Sequence, residues 1–114
     1  MSTTLRYYST ADRPAVEMWL EDDYGTLIDF SSGYTFSFKV GTPGSAASLT
    51  KTSGIAGAAG AGSEPTGTPN VTITWTAGEI AGISAGTYNW QLTATTSSLD
   101  RVFVGTFVVL DVVT

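Results

Sequence analysis

Hydrophobic residues recur at every second position in four separate stretches of this chain, a period that admits strands and excludes sustained helices. Val16, Met18 and Leu20 alternate with Glu17, Trp19 and Glu21. Tyr34, Phe36, Phe38 and Val40 alternate with Thr35, Ser37 and Lys39. Val71, Ile73 and Trp75 alternate with Thr72, Thr74 and Thr76, and Tyr88, Trp90, Leu92 and Ala94 with Asn89, Gln91, Thr93 and Thr95. Successive strand side chains point to opposite faces, so each run has one apolar face and one mostly polar face. An amphipathic helix needs apolar residues at i, i+3, i+4 and i+7, and no stretch of helical length supplies them. Residues 5–9 and 48–52 read as weaker strands. Residues 102–113 are apolar on both faces, with Gly105 where a bulge or bend is expected. Turns fall near 23–25, 32–33, 41–44 and 97–100.

The expected fold is therefore all-β, an immunoglobulin-like antiparallel sandwich of about seven strands in one domain over residues 1–114. One or two short helical turns are expected, at 30–32 and at 76–84, where Thr76 and Glu79 have capping-box spacing. Residues 53–69 are mostly Gly, Ala, Ser, Thr and Pro. They read as a flexible loop, or an arm ordered by a partner.

Composition excludes more than it selects. A chain of 114 residues buries roughly two-thirds of its unfolded surface, enough for one modest core. Only 13% of residues are charged, against about 25% in ordinary domains. With 19 Thr and 12 Ser, the polar surface is largely uncharged. Ten acidic residues against five basic ones give a net charge of −5. Five scattered cations make no basic patch, so neither nucleic acid nor a membrane is an expected partner. Cysteine and histidine are both absent. Disulfides and thiolate metal sites are thereby ruled out, and so are the usual catalytic base and the commonest metal ligand. No catalysis and no cofactor are expected. The chain starts without an apolar h-region, so secretion by a signal peptide is not expected. Residues 80–99 carry no charge but are too polar to span a bilayer. The Asn70-Val71-Thr72 triplet fits a glycosylation acceptor and is read here as strand.

Four constellations in the sequence bear on chemistry. Gly54, Gly57, Gly60 and Gly62 miss the dinucleotide spacing and lack a P-loop lysine, so a plain loop is preferred to a phosphate cradle. Glu21, Asp22, Asp23 and Asp29 suggest calcium, but the D-x-[DN]-x-[DN]-G pattern is missing and a solvated hairpin tip is preferred. Glu17 and Glu21 flank Trp19 on one strand face. Four residues of strand separate them by about 13 Å, too far for either glycosidase geometry. Trp75 and Trp90 read as core. Trp19, Phe103 and Phe107 fall on the opposite faces, where exposed aromatics mark interfaces or sugar platforms. Together with Glu17, Glu21 and Ile55 of the 53–69 segment, they are the interface candidates.

The order of these features resembles a known family. The stretch Asp29-Phe30-Ser31-Ser32-Gly33-Tyr34-Thr35-Phe36-Ser37-Phe38-Lys39 resembles one in the N-terminal immunoglobulin-like domain of phage baseplate upper proteins. Val71-Thr72-Ile73-Thr74-Trp75, Ala77-Gly78-Glu79 and Ala85-Gly86-Thr87-Tyr88-Asn89-Trp90-Gln91-Leu92 are similar to that family's next strand, turn and strand. The last strands, 101–112, complete the likeness. The 53–69 segment departs from the family's short connection, and the hairpin tip is Ser97-Ser98-Leu99-Asp100. The resemblance implies a non-enzymatic virion protein of a tailed phage, assembled in the host cytoplasm at the tail tip or baseplate. Its partners would be other virion proteins, with self-association left open. Capsid decoration, the head–tail junction and a host-carbohydrate or receptor-binding module stand as alternatives.

Overall fold

The computed structural model describes residues 15–64, 66–76, 78–80 and 82–110, together with the backbone of residues 4–8. Eight strands form among them: β1 (Thr4–Tyr8), β2 (Val16–Met18), β3 (Thr35–Gly41), β4 (Leu49–Lys51), β5 (Ile55–Gly57), β6 (Val71–Ile73), β7 (Gly86–Thr95) and β8 (Asp100–Leu110). They make a five-stranded sheet in the order β1-β8-β7-β3-β4 and a three-stranded sheet in the order β2-β6-β5. Pairing is antiparallel throughout, except that β1 runs parallel to β8.

Period two does in the fold what it implies in sequence. Phe38 faces Leu92 and Val40 faces Trp90 across β3 and β7, placing all four side chains on the inner face of the larger sheet. In the smaller sheet, Ile73 sits between Val16 and Ile55. The two inner faces close on one apolar cluster that also takes in Leu20, Ile28, Phe30, Ile80 and Ile83. The result is a two-sheet β-sandwich of immunoglobulin-like type. Aromatic rings fill its centre. Phe38 stacks on Trp90 with centroids 5.9 Å apart and meets Trp75 edge-on at 5.8 Å. Phe30 stands edge-on to Tyr34, Phe36 and Phe103. Each such pair adds about 0.5–1.5 kcal/mol to what burial alone contributes.

Three sequence expectations change here. Gly105 does not bulge β8: it lies opposite Trp90 in a register that runs unbroken from Gly86↔Val109 to Thr95↔Asp100. No helical turn forms at 30–32, where the Ser31 N–H is taken by Asp29 Oδ1 at 2.9 Å. At 76–84 the Thr76–Glu79 pairing is made, with the Thr76 N–H donating to Glu79 Oε1 at 2.6 Å. Gly78 then takes φ +87°, which no right-handed helix accommodates, and among the described residues no helix follows. The end of the expected last strand, 111–113, lies outside the described residues.

A fourth correction concerns residues 53–69, which are not a free arm. They contribute β5, an eighth strand, and Ile55 packs against the core. Beyond it, Ala61 and Thr68 exchange hydrogen bonds across a short bridge. Glycine is what lets the segment lie so close. A Cβ on Gly57 would run into the Phe30 carbonyl and sit 2.9 Å from Phe30 Cβ and 3.0 Å from Phe36 Cζ. Gly57→Ala is therefore expected to destabilise the fold by about 2 kcal/mol in urea melts, an overpacking effect. Gly82→Ala, where a Cβ would meet nothing within 4 Å, should leave the midpoint within about 0.5 kcal/mol of the parent.

Candidate interaction surface

The three aromatics expected on the surface are inside. Trp19 is 6% exposed, Phe103 9% and Phe107 fully buried. For β8 the reason is register. Phe103 pairs with Leu92 and Phe107 with Tyr88, so both share the inner face of β7, and the smaller Val102 and Val104 are left outside, 54% and 51% exposed. Both parities of that strand are apolar, and ring volume decides which goes in. For Trp19 the strand simply ends. β2 stops at Met18, the alternation lapses, and Trp19 and Leu20 are both buried while Glu17 and Glu21 remain exposed. Turning the tryptophan inward thus desolvates neither carboxylate. Ile55 is half-buried. Of the six interface candidates, only Glu17 and Glu21 stand fully in solvent.

Those two carboxylates belong to a built feature. The chain leaves β2, forms a hairpin over residues 20–28, and is held at the base by Asn70. The Leu20 N–H donates to Asn70 Oδ1 at 2.9 Å, and Asn70 Nδ2 donates to the carbonyls of Leu20 at 2.8 Å and Ile28 at 2.9 Å. The Asn70 side chain is fully buried, which also removes it as a glycosylation acceptor in the folded chain. At the tip, Asp22 Oδ1 accepts from the N–H groups of Tyr24 at 2.8 Å and Thr26 at 3.1 Å, and Gly25 turns the chain at φ +79°. Glu21, Asp23 and Tyr24 project outward, and Tyr24 is 92% exposed. Asp29, just beyond, is held below the usual carboxylate range by hydrogen bonds from the Ser31 side chain and N–H. Among the described residues, no group of three or more carboxylates is arranged to hold a metal ion.

Compared with protein-family models, curated proteins and solved structures, the chain matches none. Its own geometry must carry the functional reading.

Two further features bear on it. On the outer face of the larger sheet a groove of about 730 Å³ runs past Lys39, Asn89, Gln91, Val104 and Thr106, beside the Thr42-Pro43-Gly44-Ser45 turn. Its lining is more apolar than polar, with the amides of Asn89 and Gln91 and the hydroxyls of Thr42, Ser45 and Thr106 set among Pro43, Ala46, Ala47 and Val104. Inside the molecule, Lys51 Nζ lies 2.8 and 3.1 Å from the two Glu79 oxygens and 5.6 Å from the Trp75 ring centroid. Burial pushes the Glu79 carboxyl up, but Lys51 and Thr76 together outweigh it and hold the group below its ordinary value. This pair ties β4 to the 76–84 turn. Neither feature was legible beforehand, because a lysine and a glutamate 28 positions apart give no local signal of their meeting.

Proposed function

We propose that this protein is a non-enzymatic structural component of a tailed-phage virion, placed at the tail tip or baseplate and bound to neighbouring virion proteins. The observation that carries the proposal is the rigid acidic hairpin on an otherwise neutral body. All of the excess negative charge lies between residues 12 and 29, and the remaining charges cancel. A clamped loop bearing Glu21, Asp23 and an exposed Tyr24 loses little entropy on docking and selects a basic surface. The Thr-rich, charge-poor strands and the resemblance to baseplate immunoglobulin-like domains support the same reading. A carbohydrate module is less well supported, since Trp19, Phe103 and Phe107, its expected stacking platforms, are buried.

Antibody labelling of particles tests the station, with label expected at the tail tip; label on the capsid shell would move the protein to decoration. The contact is tested with the triple variant Glu21→Gln, Asp23→Asn, Tyr24→Ala. It should melt within about 0.5 kcal/mol of the parent yet be incorporated into particles at about a tenth of the parental level, a loss of about 1.4 kcal/mol in binding. Full incorporation of this variant would remove the hairpin from the contact. Trp19→Ala would report on the core, where the ring is buried.

A further inference from the structure

We infer that the edge of β8 over residues 100–105, which no described residue pairs, is a strand-addition site for an extended segment of a partner protein that carries lysine or arginine. β7 pairs with one edge of β8 from Asp100 to Val109, and among the described residues β1 pairs with the other from Thr106 to Leu110. Among the described residues nothing pairs with that second edge from Asp100 to Gly105. The hairpin fixes which main-chain groups face outward. The Thr96 N–H donates to the Leu99 carbonyl at 2.8 Å. The hydrogen-bonded pairs with β7 therefore fall on odd-numbered residues of β8, and the N–H and C=O groups of Val102 and Val104 point to the open edge. Their side chains are the half-exposed valines of the outer face. An exposed apolar edge of this kind is a template for another strand unless it is shielded.

Charge says what would come. A cleft of about 180 Å³ lies where such a segment would run, between Glu21, Asp22 and Asp23 on one side and Arg101, Val102 and Phe103 on the other. It is smaller than the roughly 300 Å³ of ordinary small-molecule pockets and suits one long side chain. Three acidic residues and one arginine line it, and that excess of negative charge favours a cationic side chain. Arg101 Nε is enclosed and has no hydrogen-bond partner among the described residues, and an added backbone carbonyl would supply one. The inference rests on the assembly reading only for the source of the segment; the edge itself is testable with purified protein.

The probe is a capped peptide of about eight residues alternating Val with Lys, compared with one in which Glu replaces Lys. In the full chain, amide exchange at Val102 and Val104 should be fast without peptide and slowed about tenfold or more by the Lys peptide alone. Val104→Pro, which removes one edge N–H, should abolish the effect. Should that variant fail to fold, Glu21→Gln with Asp23→Asn should weaken Lys-peptide binding about tenfold while leaving the melt unchanged. Protection of both amides before peptide is added would overturn the inference, because the edge would already be covered. So would equal binding of the Glu peptide, or protection that grows with protein concentration alone, which would mean that a second copy is the occupant. Failure of the virion test with success here would displace the proposed station and keep the edge.

Discussion

Asn70→Ala is expected to lower folding stability by about 4 kcal/mol. One buried amide serves three main-chain groups of the acidic hairpin: the Leu20 N–H and the Leu20 and Ile28 carbonyls. Truncation strands them unequally. The Leu20 carbonyl keeps a bond from the Ile28 N–H at 3.1 Å, but the Leu20 N–H and the Ile28 carbonyl lose the partners described. Each buried group left unsatisfied costs about 1–3 kcal/mol, and the lost packing of the side chain adds to that. A domain of this size has about 5–15 kcal/mol to lose, so the variant should remain folded in the cold with a much lower urea midpoint. Asn70→Asp separates hydrogen bonding from shape. Its carboxylate still accepts from Leu20 N–H but faces two carbonyls, so its folded-state pKa is raised above the unfolded value. The neutral acid can donate to one carbonyl; stability is therefore present below the unfolded pKa and lost as pH rises through the folded one. Asn70→Asp should approach the parent near pH 3 and fall well behind it at pH 7. If the two variants lose the same amount at both pH values, the donor half of the amide carries no weight and the clamp is misassigned.

The same residue shows what sequence reveals and what it hides. β3, β6 and β7 were legible because each alternates cleanly, with Phe38, Val40, Val71, Ile73, Trp90 and Leu92 all inside and fully or almost fully buried. Alternation is a local property, and a half-buried strand writes it directly. Asn70 carried no such mark. As the first residue of an Asn-x-Thr triplet it read only as strand, and the return of the 20–28 hairpin against β6 is what makes it a clamp. Trp19 and Phe103 failed for two separate reasons, a strand that ended early and a strand apolar on both faces, where period two gives no preference. β5 was hidden because its neighbours are glycines, whose value lies in how closely Phe30 and Phe36 approach. The carboxylates of the candidate site were found because exposed charge needs no tertiary partner to be exposed, whereas the Asn70 clamp that gives them a fixed position was not.

Glu79→Gln should destabilise the protein by about 3 kcal/mol at pH 7, and Lys51→Met by clearly less. The asymmetry follows from where the two charges sit. The Lys51 side chain is 1% exposed and Glu79 is 19% exposed. Removing the carboxylate charge leaves an enclosed ammonium against a neutral amide, an uncompensated buried charge. Removing the ammonium leaves a carboxylate that still accepts from the Thr76 N–H at 2.6 Å and still reaches water, while methionine fills the space beside Trp75 with a side chain of similar length. The double variant should behave like Lys51→Met, since the stranded charge is then gone. Acid gives an independent check. The Glu79 carboxyl is held below its ordinary value by Lys51 and Thr76, so the pair's contribution is complete above the unfolded pKa and is lost as pH falls through the folded one. Urea midpoints of the parent and Glu79→Gln should therefore converge as pH falls through the folded-state pKa of Glu79, where the parent's own glutamate becomes neutral. If Lys51→Met proves as costly as Glu79→Gln, the ammonium itself stabilises the core, with the Trp75 ring 5.6 Å away as its second partner, and the pair is then a net source of stability.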